Sequence, residues 1–246
     1  MTPEEIVARL IYRDGLMLVI DKPACLAVHK GPKGGESLED YFGALRFGLP
    51  RPPALAHRLD RDTSGCLVLG RHRKALAALG RLFKSGQVGK TYWAVVAGAP
   101  PQDQGRIELP LGRKDATRGW WMKHDPSGQP AVTTWKVMGR TRCPSTGGDE
   151  SHDLKSHDLT WLALEPLTGR THQLRVHCAA MGWPIVGDSV YGGAARADTP
   201  GLHLHAREIV VPLYKNRAPI RVTAPVPPHM QQLLRACGWS GDAPAQ

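Results

Sequence analysis

The sequence predicts an α+β fold in which a largely antiparallel, mixed central sheet is flanked by a few helices and long loops. Runs of β-branched and aromatic residues recur along the chain, mostly separated by connections of hairpin length. Only a few segments have apolar residues at helical spacing, and strictly alternating strand–helix–strand units are not visible in the sequence. We therefore expect a single domain over residues 1–240, followed by a disordered tail at 241–246.

The first hundred residues carry the clearest local signals. Strands are predicted near residues 8–12 and 16–21, joined by an Asp-Gly turn. Ser37 and Asp40 have the spacing of a capping box, which predicts a short helix. The run "CLVLG" predicts a buried strand, "RKALAALGRLFKSG" a helix ended by its glycine, and "KTYWAVVAG" another strand.

In the second half of the chain, the polar and basic segment "LGRKDATRGWWMKHDPSGQP" predicts an exposed loop or hairpin. The runs "AVTTWKVMGR" and "HDLTWLALEP" predict paired strands on either side of a variable insert at 143–158. "THQLRVHCAAMG" predicts a helix with Thr171 as its N-cap, which starts at His172 and ends at Gly182. "LHLHAREIVV" predicts the last strand.

Positive charge is concentrated in one part of the chain. The formal net charge is +10, and residues 58–123 hold 13 Lys and Arg against five Asp and Glu. This local excess favours a phosphate-rich partner, whose counterions are released when Lys and Arg bind, over a merely solvated surface. A membrane surface is not expected, because no basic amphipathic helix with bulky apolar anchors stands out.

Targeting signals and cysteine usage predict a cytoplasmic protein. No stretch approaches 18 consecutive apolar residues, and the first residues lack the pattern of a signal peptide. The five cysteines are odd in number, widely spaced and without CxxC, which argues against a disulfide framework and a zinc site. The histidines show no metal-binding spacing such as HExxH. We therefore expect neither a metal nor a membrane partner.

The segment "HRLDRDTSG", from His57 to Gly65, alternates acids and arginines. In an extended segment Arg58 and Asp60 share a face, and neighbouring guanidinium groups favour the ionised carboxylate. An ionised, desolvated aspartate is a useful nucleophile, although a surface salt bridge explains the same pattern. Asp62 fits a turn cap better. An aspartic-protease interpretation of "DTSG" requires a second copy, which a homodimer would have to supply, and the basic flanks disfavour two carboxyl groups that share a proton.

Two further segments hold candidate catalytic residues. Arg175 falls in the first turns of a predicted helix, where the helix dipole disfavours a cation. An anion nearby, either Asp60 or a phosphate, would explain its position; an exposed helix arginine is the alternative. Lys90 and Tyr92 lie on one face of a predicted strand. There Tyr92 is able to stack on a ring or to move a proton, and a core tyrosine is the alternative.

Three of these segments resemble, in order and spacing, the motifs of the RluA-type RNA pseudouridine synthases: "HRLDRDTSG", "KTYWAVV" and "LTGRTHQLRVHCAAMGWPIVGDSVYG". Matches at "VIDKPACLAVH", "GQPAVTTWKV" and "LHLHA" extend the resemblance over residues 8–225. The combination of the first and third motifs is specific. The resemblance implies the pseudouridine synthase fold and the isomerisation of specific uridines to pseudouridine, without cofactor or metal, in ribosomal RNA or, slightly less favoured, transfer RNA.

The resemblance also implies roles for individual residues. Asp60 would be the catalytic aspartate, Tyr92 would stack on the target uracil and take part in proton removal, and Arg175 would pair with Asp60. Arg58 would help to fill the gap left by the flipped base. A basic loop with adjacent Trp120 and Trp121 would clasp the RNA. The candidate substrate-binding residues are Arg58, Lys90, Arg113, Lys114, Arg118, Arg170 and His172.

The chain departs from many relatives in two respects. The motif pattern begins almost at Met1, so we expect no separate N-terminal RNA-binding domain, and we expect a monomer. Gln129 stands where relatives often have Lys. A non-catalytic RNA-binding or ribosome-assembly protein on the same fold is the alternative function. The sequence leaves open whether Asp60 adds to the base, attacks the sugar or removes a sugar proton.

Overall fold

The computed structural model describes residues 1–31, 34–114, 121–142, 158–193 and 201–242. The chain forms two compact units. Unit one consists of Met1–Thr91 and His205–Pro225, and unit two of Tyr92–Leu204 and Val226–Gln246. The expectation that residues 1–240 act as one catalytic domain stays a prediction.

The elements alternate irregularly along the chain, as the α+β class requires. The strands are β1 (Leu10–Arg13), β2 (Met17–Lys22), β3 (Ala54–Leu55), β4 (Ser64–Gly70), β5 (Gly89–Ala97), β6 (Gln104–Glu108), β7 (Leu111–Arg113), β8 (Met122–His124), β9 (Val132–Arg142), β10 (Asp158–Pro166), β11 (Leu204–Val211) and β12 (Ile220–Thr223). The α-helices are α1 (Pro3–Ala8), α2 (Arg73–Lys84), α3 (Gln173–Ala180) and α4 (Pro228–Ala236), and a 3₁₀ helix spans Leu38–Leu45.

Unit one is built on a mixed sheet. β2 pairs antiparallel with β1 and β4, whereas β11 runs parallel to β4 and antiparallel to β12. Every residue of β4 is buried, as its uninterrupted apolar run predicts. Leu79, Leu82 and Phe83 of α2 pack with Val68 and Ile209 in the core of this unit. The helix therefore lies on the sheet with its apolar stripe inward.

Unit two contains an antiparallel sheet in the order β5-β10-β9-β6. Successive residues of β5 point to opposite faces of this sheet. Ala94 belongs to the core cluster that includes Leu174 of α3, whereas Val95 packs in a second cluster with Met230 of α4. Both faces are thus covered by helices, which explains why Ala94, Val95 and Val96 are buried in succession.

The structure confirms most of the predicted elements and corrects others. The N-terminal hairpin, β4, α2, β5, the β9–β10 pair and the α3 helix lie where the sequence predicts them. The prediction that "LHLHAREIVV" is the last strand is wrong, because β12 and α4 follow it. The helix α1 was not predicted, although Thr2 and Glu5 form its capping box. The insert at 143–157 and the end of the tail at 243–246 lie outside the described residues.

Within the part of the chain that the structure describes, no helix has both the length and the apolar character needed to cross a bilayer. The longest of these helices, α2, has 12 residues.

Candidate active site

The residues from Asp60 to Thr63, here called the Asp60 turn, lead directly into β4. The Thr63 amide donates a hydrogen bond to the Asp60 carbonyl oxygen at 3.2 Å. Gly65 follows with φ of +104°, a conformation that favours glycine. A Cβ at this position would overlap the Ala206 carbonyl oxygen. Only glycine therefore allows β4 and β11 to approach this closely beside the Asp60 turn.

A buried hydrogen bond fixes the same junction. Ser64 Oγ and His205 Nδ1 are 2.8 Å apart, and both residues are buried. The two residues are also register partners in the parallel pairing of β4 with β11. The segment "LHLHA", which matched the family without a role, therefore positions the strand that follows the Asp60 turn.

Lys22 is completely buried at the end of β2, and its side chain binds the backbone of the Asp60 turn. Its ammonium group donates to the carbonyl oxygens of Pro23 at 2.7 Å, Leu26 at 2.8 Å and Arg61 at 2.9 Å. These three bonds use all three donors of the group. Burial lowers the pKa of Lys22 to about 8, and the nearby carboxylates of Asp62 and Asp60 oppose this shift.

Sequence reasoning did not single out Lys22, because lysine is almost never fully buried and a lysine at a strand end normally extends into solvent. Its only signal was its place in the matching segment "VIDKP". The structure shows that this lysine joins β2 to the loop that carries the predicted catalytic aspartate.

His57, the first residue of the "HRLD" motif, is a neutral structural histidine. Its Nε2 accepts a hydrogen bond from the Val68 amide at 3.0 Å. Its ring stacks on Phe83 of α2 with a centroid separation of 4.5 Å. Burial lowers the pKa of His57 to about 3, and the positive charge of Lys90 contributes in the same direction. The motif is thus anchored to both β4 and α2.

Unit one also holds the predicted Arg58, Asp60 and Lys90. Asp60 and Lys90 are half-buried, and Arg58 is exposed. Desolvation lowers the pKa of Lys90. Asp62 is half-buried in the same turn. The predicted roles of these residues in binding or catalysis remain predictions.

The start of α3 differs from the sequence prediction. The N-cap is His172 and not Thr171, and the helix begins at Gln173. His172 has φ of 53° and lies in the left-handed region, which is uncommon for a residue other than glycine. The side chain of His172 makes no capping hydrogen bond to the first turn of α3. The buried side chain of Gln173 instead ties the start of the helix to the segment that precedes it. Its Oε1 accepts from the Arg170 amide at 3.0 Å and from Thr168 Oγ1 at 2.7 Å.

Arg175 lies one turn into α3 and is only 3% exposed. Its Nε and Nη2 donate to the two carboxylate oxygens of Asp188 at 2.8 and 2.7 Å. Asp188 Oδ1 also accepts from the amides of Val190 and Tyr191 at 2.9 and 3.0 Å. Although burial opposes it, the hydrogen bonds and charge of Arg175 hold the pKa of Asp188 below its ordinary value.

Asp188 is a residue that sequence reasoning missed. It lies in "GDSVYG", which matched the family motif but carried no assigned role. The position of Arg175 near the helix N-terminus predicted an anion beside it, and Asp188 is such an anion. The prediction that Asp60 also binds Arg175 stays a prediction.

Tyr191 links Arg175 to the β7–β8 hairpin. The Arg175 guanidinium lies over the Tyr191 ring at 5.3 Å. The Tyr191 hydroxyl accepts a hydrogen bond from the Met122 amide at 3.0 Å and shares another with His172 Nδ1 at 2.8 Å. His172, predicted to bind substrate, is thus buried and engaged with Tyr191. Its contact with RNA stays a prediction.

A second network surrounds His177 in the interior of unit two. His177 is fully buried, its Nδ1 lies 2.9 Å from Thr133 Oγ1, and its Nε2 lies 3.1 Å from the Leu109 carbonyl oxygen. The Gln173 amide nitrogen donates to the same Thr133 oxygen at 3.0 Å. Burial lowers the pKa of His177. These contacts give His177 a structural role.

The remaining predicted residues lie on different parts of unit two. Tyr92 is half-buried in β5, where it pairs with Leu164 of β10 and packs against the core. Arg170 is exposed, and its Nε donates to the Pro130 carbonyl oxygen at 3.1 Å.

The β7–β8 hairpin carries the predicted RNA-clasping residues. Arg113 and Lys114 are exposed, and Lys114 Nζ lies over the Trp121 ring at 5.2 Å. Arg118 and Trp120 lie outside the described residues. One of the two adjacent tryptophans therefore packs against a lysine of its own hairpin.

The fold is similar to that of solved pseudouridylate synthase domains. Human RNA pseudouridylate synthase domain containing 1 has a TM-score of 0.71 and 26% identity, with 95% of this chain and 96% of that chain covered. Human RNA pseudouridylate synthase domain containing 4 has a TM-score of 0.74 and 24% identity, with 96% and 95% covered. The second likeness supports the fold alone.

Sequence comparison identifies the family. Residues 16–180 match the family described as RNA pseudouridylate synthase. An uncharacterized RNA pseudouridine synthase of Zymomonas mobilis is 39% identical over 89% of this chain and 94% of its own length. Ribosomal large subunit pseudouridine synthase D of Xanthomonas campestris is 35% identical over 95% of this chain and 70% of its own length. The chain belongs to the RluA-type family of RNA pseudouridine synthases.

This assignment confirms the predicted reaction class. The chain is an isomerase that acts on RNA, and both the aspartic-protease interpretation of "DTSG" and the non-catalytic alternative are set aside.

Proposed function

We propose that this enzyme isomerises specific uridines of ribosomal RNA and that Asp60 is its catalytic carboxylate, acting with Tyr92 and Arg175. In the reaction the bond between N1 of uracil and C1′ of ribose breaks, and a bond between C5 and C1′ forms. N1 gains a proton and C5 loses one, so no group is added or removed. The target base leaves its stack before the chemistry, at a cost of a few kcal/mol.

The rigid setting of the Asp60 turn carries this proposal. Lys22 binds the Arg61 carbonyl, Thr63 closes the turn, and the next residues enter a fully buried strand. These bonds fix the backbone that carries the Asp60 carboxylate, and a preorganised group needs little reorganisation on the way to the transition state.

The geometry of Arg175 supports its proposed role. Asp188 binds one edge of the guanidinium, through Nε and Nη2. The family motifs imply that the guanidinium also binds the carboxylate of Asp60, and this pairing is part of the proposal. A planar guanidinium bridges two carboxylates in this manner because its five donors lie in a fixed plane. Tyr92 would stack on the flipped uracil, since aromatic rings bind bases in this way.

Ribosomal RNA is favoured by the names of two similar proteins. The Xanthomonas campestris relative and a Xylella fastidiosa protein, 36% identical over 95% of this chain, are both named ribosomal large subunit pseudouridine synthase D. Transfer RNA is the second candidate. We further propose that the enzyme acts as a monomer in the cytoplasm, consistent with the free thiols of Cys25, Cys66, Cys178 and Cys237.

The test compares two neighbouring acids. Tritium release from RNA that carries 5-tritiated uridine should be lost in Asp60→Asn and retained in the matched control Asp62→Asn. Carbodiimide mapping of pseudouridines in the ribosomal and transfer RNA of a deletion strain then identifies the target. Normal tritium release by Asp60→Asn would overturn the catalytic assignment, and a missing pseudouridine in transfer RNA alone would overturn the proposed target.

A further inference from the structure

The helix α2 of unit one has an exposed face that carries only positive charges. Ala75 and Leu79 are buried, and the helix packs on the sheet through these and neighbouring apolar residues. The charged residues of the helix are Arg73, Lys74, Arg81 and Lys84, all of which are exposed, and the helix has no acidic residue. This basic α2 face was not among the predicted substrate-binding residues.

Structural roles do not account for all four cations. Within the described ranges, none of the four forms an ion pair with a carboxylate. Arg81 and Lys84 lie in the last turn, where the helix dipole favours cations. Arg73 and Lys74 lie in the first turn, where the dipole opposes them. Helix stability therefore does not account for Arg73 and Lys74, whereas binding of an external anion does.

The spacing of the face suits a polyanion. About eight residues separate the two pairs, which corresponds to about 12 Å along the helix axis. Ala77 and Gly80 are exposed between the pairs. Because alanine has a small side chain and glycine has none, no bulky group stands between the two pairs of cations. A nucleic-acid strand has phosphates every few ångströms, so more than one phosphate fits between the pairs.

The inward side of the last turn of α2 contacts the segment that carries Asp60. The ring of Phe83, between Arg81 and Lys84 in sequence, stacks on His57 at 4.5 Å. His57 precedes Asp60 by three residues, and the exposed Arg58 follows it directly. The last turn of α2, which carries Arg81 and Lys84, is therefore joined by direct packing to the segment that leads to Asp60.

We propose that the basic α2 face binds the phosphate backbone of the substrate RNA next to the target uridine. This interface rests on the proposed catalytic role of Asp60. Because RNA affinity depends on released counterions, each cation that contacts a phosphate contributes about 0.7 to the log–log salt slope for single strands.

The experiment uses the full chain, a 30-nucleotide single-stranded RNA and two paired variants, R73Q/K74Q and R81Q/K84Q. Each should reduce the magnitude of the salt slope by about 1.4 and their combination by about 2.8, if all four side chains bind phosphates. The control K136Q/K215Q removes two exposed charges elsewhere and should leave the slope unchanged. Glutamine keeps helix propensity, and circular dichroism checks the fold.

Tritium release separates this interface from the chemistry. The variants should raise KM for RNA and leave kcat within about twofold, because α2 lies outside the reacting groups. An unchanged slope in the fourfold variant, or an equal loss in K136Q/K215Q, would overturn the interface while Asp60-dependent tritium release stands. Loss of release in Asp60→Asn with an altered slope only in the α2 variants supports both proposals.

Discussion

Asp188 binds Arg175 through both carboxylate oxygens, at 2.8 Å to Nε and 2.7 Å to Nη2. Both residues are almost fully buried, at 1% and 3% exposure. Such a pair is costly to break, because removing one partner leaves the other charge buried without compensation. The orientation of Arg175 therefore depends on Asp188, a residue of the same motif to which the sequence assigned no role.

Asp188→Asn should destabilise the protein by about 3–5 kcal/mol at pH 7, as measured by urea unfolding. The pKa of Asp188 is lowered in the folded state. Its contribution is therefore present above the ordinary carboxyl pKa and is lost as the pH falls through the lowered value. The difference between wild type and variant should shrink below about pH 4.

The matched control for this variant is Asp103→Asn. Asp103 pairs with Arg140 at 2.7 Å, but its side chain is 82% exposed. An exposed pair contributes at most about 1 kcal/mol, so this change should have little effect. Equal stability losses in the two variants would contradict the importance of burial at Arg175.

Gly65→Ala should destabilise the protein by roughly 2–5 kcal/mol and reduce tritium release, because a Cβ at Gly65 overlaps Ala206 at a positive φ. Gly80→Ala is the control. A Cβ at Gly80 meets nothing within 4 Å, and alanine in the helix should stabilise it by up to about 1 kcal/mol. Thermal unfolding of both variants checks the prediction, and a harmless Gly65→Ala would refute it.

His57→Gln should reduce the acid sensitivity of the fold. Burial lowers the pKa of His57 to about 3, whereas it is about 6.5 in the unfolded chain. The unfolded state therefore binds more protons between these values, and stability falls as the pH is lowered. The expected loss from this residue between pH 7 and pH 5 is roughly 2 kcal/mol.

The variant should lose correspondingly less stability over the same pH interval, which urea unfolding at both pH values measures. His203 has a pKa lowered to about 4 by burial, so part of the acid sensitivity should remain. An identical pH dependence in wild type and His57→Gln would show that this histidine is not buried in its neutral form.

Tyr191→Phe should loosen the β7–β8 hairpin. The hydroxyl accepts from the Met122 amide and shares a hydrogen bond with His172, and buried groups left without partners cost about 1–3 kcal/mol. Hydrogen exchange at the Met122 amide should accelerate. Tyr41→Phe, whose hydroxyl binds Glu36 at an exposed site, should change stability by less than about 0.5 kcal/mol. Unchanged protection of Met122 would contradict the proposed link.

Local sequence patterns predicted much of the fold because they reflect which residues of each helix or strand are buried. The uninterrupted apolar run of β4 and the helical spacing of α2 follow directly from which faces each element buries. The N-cap of α3 could not be predicted in this way. His172 takes the N-cap position in place of Thr171, while Gln173 bonds to Thr168 and Arg170 ahead of the helix, and the local sequence carries no signal of that arrangement.

By itself, the sequence determined the fold class, the family and the residue types at the motif positions, because the spacing of short motifs can be recognised without information on tertiary contacts. Only the tertiary structure decided that Lys22 holds the Asp60 turn, that His205 fixes β4, and that Asp188 orients Arg175. These partners are 13 to 141 residues apart. Pairing over such separations is selected by burial and hydrogen-bond satisfaction in the folded chain, which no local pattern records.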